Sequence, residues 1–186
     1  MMRGILICAL GALAIGCAAN PPRAEHPPRP ATPDAEALFE RGRSLATRGD
    51  ALRGEQYMVM AVRLGYPERE AIVEIVGACL ASSRLRAALA HAEPFLRRHP
   101  DAWEVRQLVG ALHLALGDAQ SAWTELERVV RQQPAAAEAH YLLAVIAQEH
   151  FVDGEAARER YLAYLERAPR GRHAAEARAW LSEAAR

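Results

Sequence analysis

Cysteines at positions 8, 17 and 79 and histidines at 26, 91, 99, 113, 140, 150 and 173 are the side chains best suited to nucleophilic or metal chemistry. Their spacing organises neither. His91 and His99 lie eight residues apart on one helical run, whereas two ligands on a helix take a step of three or four. The sequence contains no His-Glu-x-x-His pair, no nucleophile set beside a base and no glycine-rich phosphate loop. Three cysteines do not make a disulfide scaffold. Cys79 falls at a buried phase of its run, where a thiol behaves as a small hydrophobe. The 23 basic residues, all arginine, equal the 23 acidic ones, and no arginine cluster stands free of neighbouring acids. Duplex nucleic acid is therefore not an expected partner. These residues imply no enzyme, no metal site and no cofactor, and leave binding as the expected activity.

Cys17 stands apart because of what precedes it. Met1-Met2-Arg3 provides a positive start, and Ile5 to Gly16 follows as an apolar or small-residue run. That run is too short to span a bilayer, which takes roughly 20 apolar residues, and suits the apolar region of a secretory signal. The stretch Ala14-Ile15-Gly16-Cys17 resembles a bacterial lipobox, with Ala14 where leucine is usual. The resemblance implies a signal peptide over residues 1–16, cleavage before Cys17 and acylation of its thiol, palmitate included. Ordinary signal cleavage after Ala19 is the alternative and would leave a soluble periplasmic protein. Ala18 stands where many Gram-negative lipoproteins carry an inner-membrane retention aspartate. The implied location is therefore the periplasmic face of the outer membrane, where several acyl chains anchor more firmly than one.

Residues 17–33 read as a lipid-anchored tether. Asn20–Pro33 holds six prolines in fourteen residues, a composition that favours extended chain without a core. At about 3.1 Å per residue it reaches roughly 40–50 Å. A leader with no mechanical role has the same composition.

The rest of the chain repeats. Pro100 and Pro134 are 34 residues apart and Pro169 follows after 35, each closing a helix-like run. With repeats begun at Ala35, Arg69, Trp103 and Ala137, the eighth places are Gly42, Val76, Gly110 and Ala144. Allowing one inserted residue in the last repeat, the twentieth places are Gly54, Ala88, Ala122 and Ala157. Small residues at those places allow two antiparallel helices to approach closely. Gly49-Asp50 and Gly117-Asp118 share a phase where glycine ends one helix and aspartate caps the next. Val152-Asp153-Gly154 lies near that phase in repeat four and accounts for its extra residue.

On this period and these small residues the chain resembles the tetratricopeptide repeat (TPR) family. The resemblance implies an all-α solenoid of four helix-turn-helix repeats over residues 34–171, with a C-terminal capping helix over 172–186. The departures are polar: the family's bulky fourth residue is Leu38 and Ile72, then Arg106 and His140. Helices are expected near 36–48, 52–64, 69–81, 86–98, 103–115, 119–132, 137–149 and 155–167. Pro94 should bend the fourth of them. A last amphipathic run near 173–185 carries Ala174, Ala177, Trp180, Leu181 and Ala184 on one side, to close the exposed end of the array.

The resemblance also implies a concave groove lined by the second, fifth, ninth and twelfth residues of each first helix. Those residues are Glu36, Phe39, Arg43 and Ala46; Glu70, Val73, Gly77 and Leu80; Glu104, Gln107, Ala111 and Leu114; Glu138, Tyr141, Val145 and Gln148. The recurring glutamates either meet a basic or amide-rich peptide or serve the positive ends of their helix dipoles. The apolar members either form a shallow channel for an amphipathic segment or pack between repeats. A lipid anchor joined to such an array is similar to the type IV pilus pilotin and Tgl-like lipoproteins. That similarity implies a non-enzymatic scaffold for an envelope protein or peptide segment. The alternatives are a regulatory accessory of a cell-wall enzyme and a soluble periplasmic spacer.

Overall fold

A computed structural model describes residues 33–185. The expected signal peptide, the expected acylation site Cys17 and the expected tether up to residue 32 lie outside them. The described residues form helices α1 (Pro33–Thr47), α2 (Ala51–Arg63), α3 (Glu68–Ala81), α4 (Leu85–Arg98), α5 (Trp103–Ala115), α6 (Ala119–Gln132), α7 (Ala137–Ile146), α8 (Gly154–Arg167) and α9 (Ala174–Ala184). Each pairs with its neighbour in the chain, and no strand interrupts them among the described residues. The architecture is the all-α TPR solenoid that the 34-residue period implies, with helix ends within a few residues of expectation. None of these helices is long and apolar enough to cross a membrane.

The turn inside each repeat explains why the period survives so much divergence. One residue per turn takes the left-handed region: Gly49 (φ 93°), Ser83 (φ 56°), Gly117 (φ 83°) and Val152 (φ 53°). The next residue starts the second helix. Asp50, Asp118 and Asp153 accept hydrogen bonds from the backbone N–H of Arg53 (3.3 Å), Ser121 (3.0 Å) and Ala156 (3.0 Å). These side chains satisfy donors that a helix start leaves open. Repeat four differs from the sequence reading. Its extra residue is taken up before the turn, where α7 runs on as a π-helical turn over Ala147–Phe151, a wider winding that accommodates one more residue. Val152 thereby occupies the left-handed place, and Gly154 is already inside α8.

Close helix approach holds each pair together. A methyl on Gly42 would fall 2.6 Å from Met58 Cγ and 2.7 Å from the Gly54 carbonyl oxygen, and one on Gly110 would fall 2.7 Å from Leu126 Cγ. The core is a chain of clusters. Phe39, Met58 and Ile75 join α1, α2 and α3; Val76, Phe95 and Val109 join α3, α4 and α5. Leu126 and Leu143 join α6 to α7, and Tyr141, Tyr161 and Ala177 join α7, α8 and α9. The second helix of repeat two, α4, continues on both sides of Pro94.

The two polar fourth places are buried, Arg106 at 7% and His140 at 5% exposure. Each reaches back to the carbonyl of the proline that closes the preceding repeat. Arg106 Nη2 donates to the Pro100 oxygen at 2.8 Å, and His140 Nε2 to the Pro134 oxygen at 3.2 Å. Gln132 and Arg167, one repeat apart, donate to the same two carbonyls. Backbone acceptors at the repeat junctions thus take one hydrogen bond from each side chain that replaces an apolar one, and Glu125 accepts a second from Arg106 Nη1 at 2.7 Å. At the C-terminal end α9 lays Ala174 and Ala177 into the core, and Trp180 packs on Tyr161 with ring centroids 5.1 Å apart. Ala184 faces solvent, so the buried side of α9 is shorter than expected.

Candidate functional site

The first helices α1, α3, α5 and α7 carry the residues assigned to the groove. On α3 all four are open: Glu70 and Gly77 are exposed, Val73 is 49% exposed and Leu80 39%. On α1, Glu36 and Arg43 are exposed and Ala46 is half-buried. On α5, Glu104 is exposed while Gln107, Ala111 and Leu114 are half-buried. On α7, Val145, Gln148 and Glu138 are half-buried.

Two of the assigned residues leave this surface. Phe39 is 3% exposed, because its ring stacks on Tyr66 at a centroid distance of 3.9 Å. Tyr141 is 8% exposed, stacked on His173 at 3.7 Å, and its hydroxyl donates to the Glu176 carboxylate at 2.9 Å. Burial and that carboxylate push the Tyr141 hydroxyl well above the usual phenol range. Leu114 and Val145 also share themselves with inter-repeat clusters. Gln148 Oε1 accepts from the Tyr161 hydroxyl at 2.7 Å. The open apolar surface is therefore centred on α3.

The glutamate row divides in the same way. Glu138 is engaged by Arg172 and faces His173 Nε2 at 3.4 Å. Among the described residues Glu36, Glu70 and Glu104 have no ion-pair partner. Burial pushes the Tyr66 hydroxyl up, and Glu70, Glu40 and Glu36 add to the shift. Arg43 opposes the effect of these carboxylates. Arg43 bridges the first two rows, with Nη1 3.0 Å from Glu40 and Nε 3.9 Å from Glu74. Between α3 and α5 a recess of about 530 Å³ includes Val73, Phe95, Trp103 and Glu104 in its lining, with the Arg69–Asp101 ion pair (2.8 Å) beside them. The face is open, acidic and partly apolar, with room for side chains of a docked segment.

A separate polar cluster lies where α2, α3 and α4 meet. Buried Glu55 places Oε1 2.8 Å from His91 Nε2, while Oε2 is held by Arg84. The Cys79 thiol lies close to the same carboxylate, and burial with that carboxylate pushes the thiol up to about 12. Such a thiol is a poor nucleophile. Sequence reading missed the cluster because 24 and 12 residues separate its members. The helical phase marked Cys79 as buried without showing what faces it.

No protein-family model and no curated protein matches the chain. Solved structures do. YrrB, described as a TPR protein with an unusual peptide-binding site, superposes with TM-score 0.67 at 18% identity, covering 78% of this chain and 74% of its own. A TPR protein from Parabacteroides merdae gives TM-score 0.72 at 18% identity, over 82% of this chain and 60% of its own. MamA from Desulfovibrio magneticus gives TM-score 0.69 at 19% identity, over 83% and 91%. These likenesses define the fold as a TPR solenoid.

Proposed function

We propose that the chain is a non-enzymatic interaction scaffold whose concave face, centred on α3, docks an amphipathic or extended segment of another protein. The observation that carries this reading is the α3 surface itself: Val73, Gly77 and Leu80 run open to solvent beside Glu70 and Glu104, which have no ion-pair partner among the described residues. An exposed apolar strip rimmed by carboxylates suits a ligand with one apolar side and basic or amide groups beside it. A peptide-binding site is also described for the structural neighbour YrrB. The placement of the scaffold follows the sequence. Cys17, acylated at the lipobox-like seam, holds the array at the periplasmic face of the outer membrane, where it assists assembly of an envelope complex in the manner of pilotin-like lipoproteins.

The test has two arms. Val73→Glu with Leu80→Glu, both open on α3, should abolish partner capture in native-host crosslinking while far-UV circular dichroism keeps its helical amplitude. Unchanged capture by this folded variant would refute the groove. Replacement of Cys17 by alanine should move the protein from the membrane fraction to the soluble periplasm. Unchanged fractionation would refute the lipid anchor and leave the groove standing.

A further inference from the structure

The cluster at the junction of the first two repeats has a composition that packing alone does not require. Glu55, Cys79 and His91 come from α2, α3 and α4, and one ligand atom from each lies within 4.8 Å of the others. We propose that these three side chains bind a borderline-soft divalent transition metal, Zn²⁺ foremost, through Glu55 Oε1, Cys79 Sγ and His91 Nε2. This goes beyond the scaffold reading and does not depend on it.

The donor set is the first argument. A thiolate, an imidazole and a carboxylate together suit Zn²⁺ and its analogue Co²⁺ better than Mg²⁺ or Ca²⁺, which take oxygen ligands. The division of the carboxylate is the second. Arg84 holds Oε2, while Oε1 faces the His91 ring and is left for an ion. A charged partner on the non-ligating oxygen orients the ligand, as outer partners do in metal sites. Of the other buried charged or polar side chains, Arg106 is answered by the Glu125 carboxylate and the Pro100 carbonyl, and His140 by the Pro134 carbonyl, none of them a cluster of ligand-type side chains. Glu55 is instead met by two side chains of ligand type.

Distance and access complete the case. With metal bonds of about 2.0–2.3 Å, tetrahedral ligand atoms sit roughly 3.3–3.8 Å apart. The Glu55–His91 contact of 2.8 Å must open by less than an ångström, and the widest separation, within 4.8 Å, must close by about one. Rotations of the three side chains supply both. Glu55 and Cys79 are buried, but the His91 side chain keeps 30% exposure and provides the entrance and the position for a water as fourth ligand. On binding, the Cys79 S–H proton leaves to solvent as the sulfur–metal bond forms. The His91 ring gives up its Nε2 proton and takes one at Nδ1, so one proton is released per metal. The bound ion would staple α2, α3 and α4 together.

The experiment uses the untagged full chain in detergent, with Cys8→Ser and Cys17→Ser so that Cys79 is the sole thiol, kept reduced. Co²⁺ is added and the spectrum recorded. One equivalent should produce a thiolate-to-cobalt charge-transfer band with the visible bands of four-coordinate cobalt, and Zn²⁺ should displace both. His91→Gln should weaken Co²⁺ binding by about tenfold or more, and Cys79→Ser should remove the charge-transfer band. No charge-transfer band from the parent protein at large cobalt excess overturns the proposal, whatever the variants do. So does a band that survives Cys79→Ser. Capture of partners by the concave face is unaffected by either result.

Discussion

The same substitution at two glycines separates the packing of the array from its binding face. Gly42 in α1 and Gly77 in α3 are both helical, and alanine is favoured over glycine in a helix by about 1 kcal/mol. At Gly77 an added methyl meets nothing within 4 Å. The whole gain is kept there, and Gly77→Ala should raise the melting temperature by roughly 2–4 °C for an array of this size. At Gly42 the methyl would fall 2.6 Å from Met58 Cγ, 2.7 Å from the Gly54 oxygen and 2.9 Å from the Met58 nitrogen. The Met58 side chain can rotate away, but the two backbone atoms move only if α2 moves. Overpacking costs about 1–3 kcal/mol, and a backbone obstacle puts Gly42 at the upper end. The net loss of about 1–2 kcal/mol lowers the melting temperature by roughly 2–8 °C. Thermal melts followed by far-ultraviolet circular dichroism measure both variants against the parent. Gly42→Ala melting at or above Gly77→Ala would refute the reading that small residues set the approach of the paired helices.

Three further outcomes follow from single features. His140 is held below the usual histidine range by burial, with Arg167 and Arg160 adding to the effect, and its Nδ1 has no acceptor for a second proton. The unfolded chain therefore binds that proton more readily, so stability should fall as pH drops below about 6.5 and level off beneath the folded-state value. Urea titrations at several pH values should show this slope in the parent and lose it in His140→Gln. Val152 is a β-branched residue at φ 53° and 84% exposed. Val152→Gly should relieve the left-handed strain and stabilise by about 0.5–1 kcal/mol after the entropy cost of glycine, read from a higher denaturation midpoint. Deleting residues 172–186 removes the partners of Tyr141 and uncovers Tyr161, so the shortened chain should melt lower and aggregate. Light scattering and melting indistinguishable from the parent would show that α9 closes nothing.

Much of the fold was legible because its signals are local. A left-handed residue followed by a capping aspartate needs only adjacent positions, and Gly49-Asp50 and Gly117-Asp118 show it openly. Ser83-Arg84 shows neither residue type, yet takes the same turn, because the 34-residue period and the packing of α3 on α4 impose it. The π-helical turn was not legible, since an inserted residue can be absorbed anywhere between Ile146 and Gly154. Its place depends on keeping Ala147 buried and Asp153 at the cap.

The binding face shows the same boundary. Helical periodicity alone put Phe39, Val73, Gln107 and Tyr141 at one equivalent place, and it could do no more, because a period specifies a direction and not a neighbour. The tertiary structure separated them. Tyr66 covers Phe39 and His173 covers Tyr141, while Val73 meets no such partner and stays open. The sequence by itself determined the repeat length, the helix pairs and the small residues between them, all carried by short-range geometry. Only the packing of one repeat on the next decided which apolar positions remain exposed, and only that packing brought Glu55, Cys79 and His91 together from three helices.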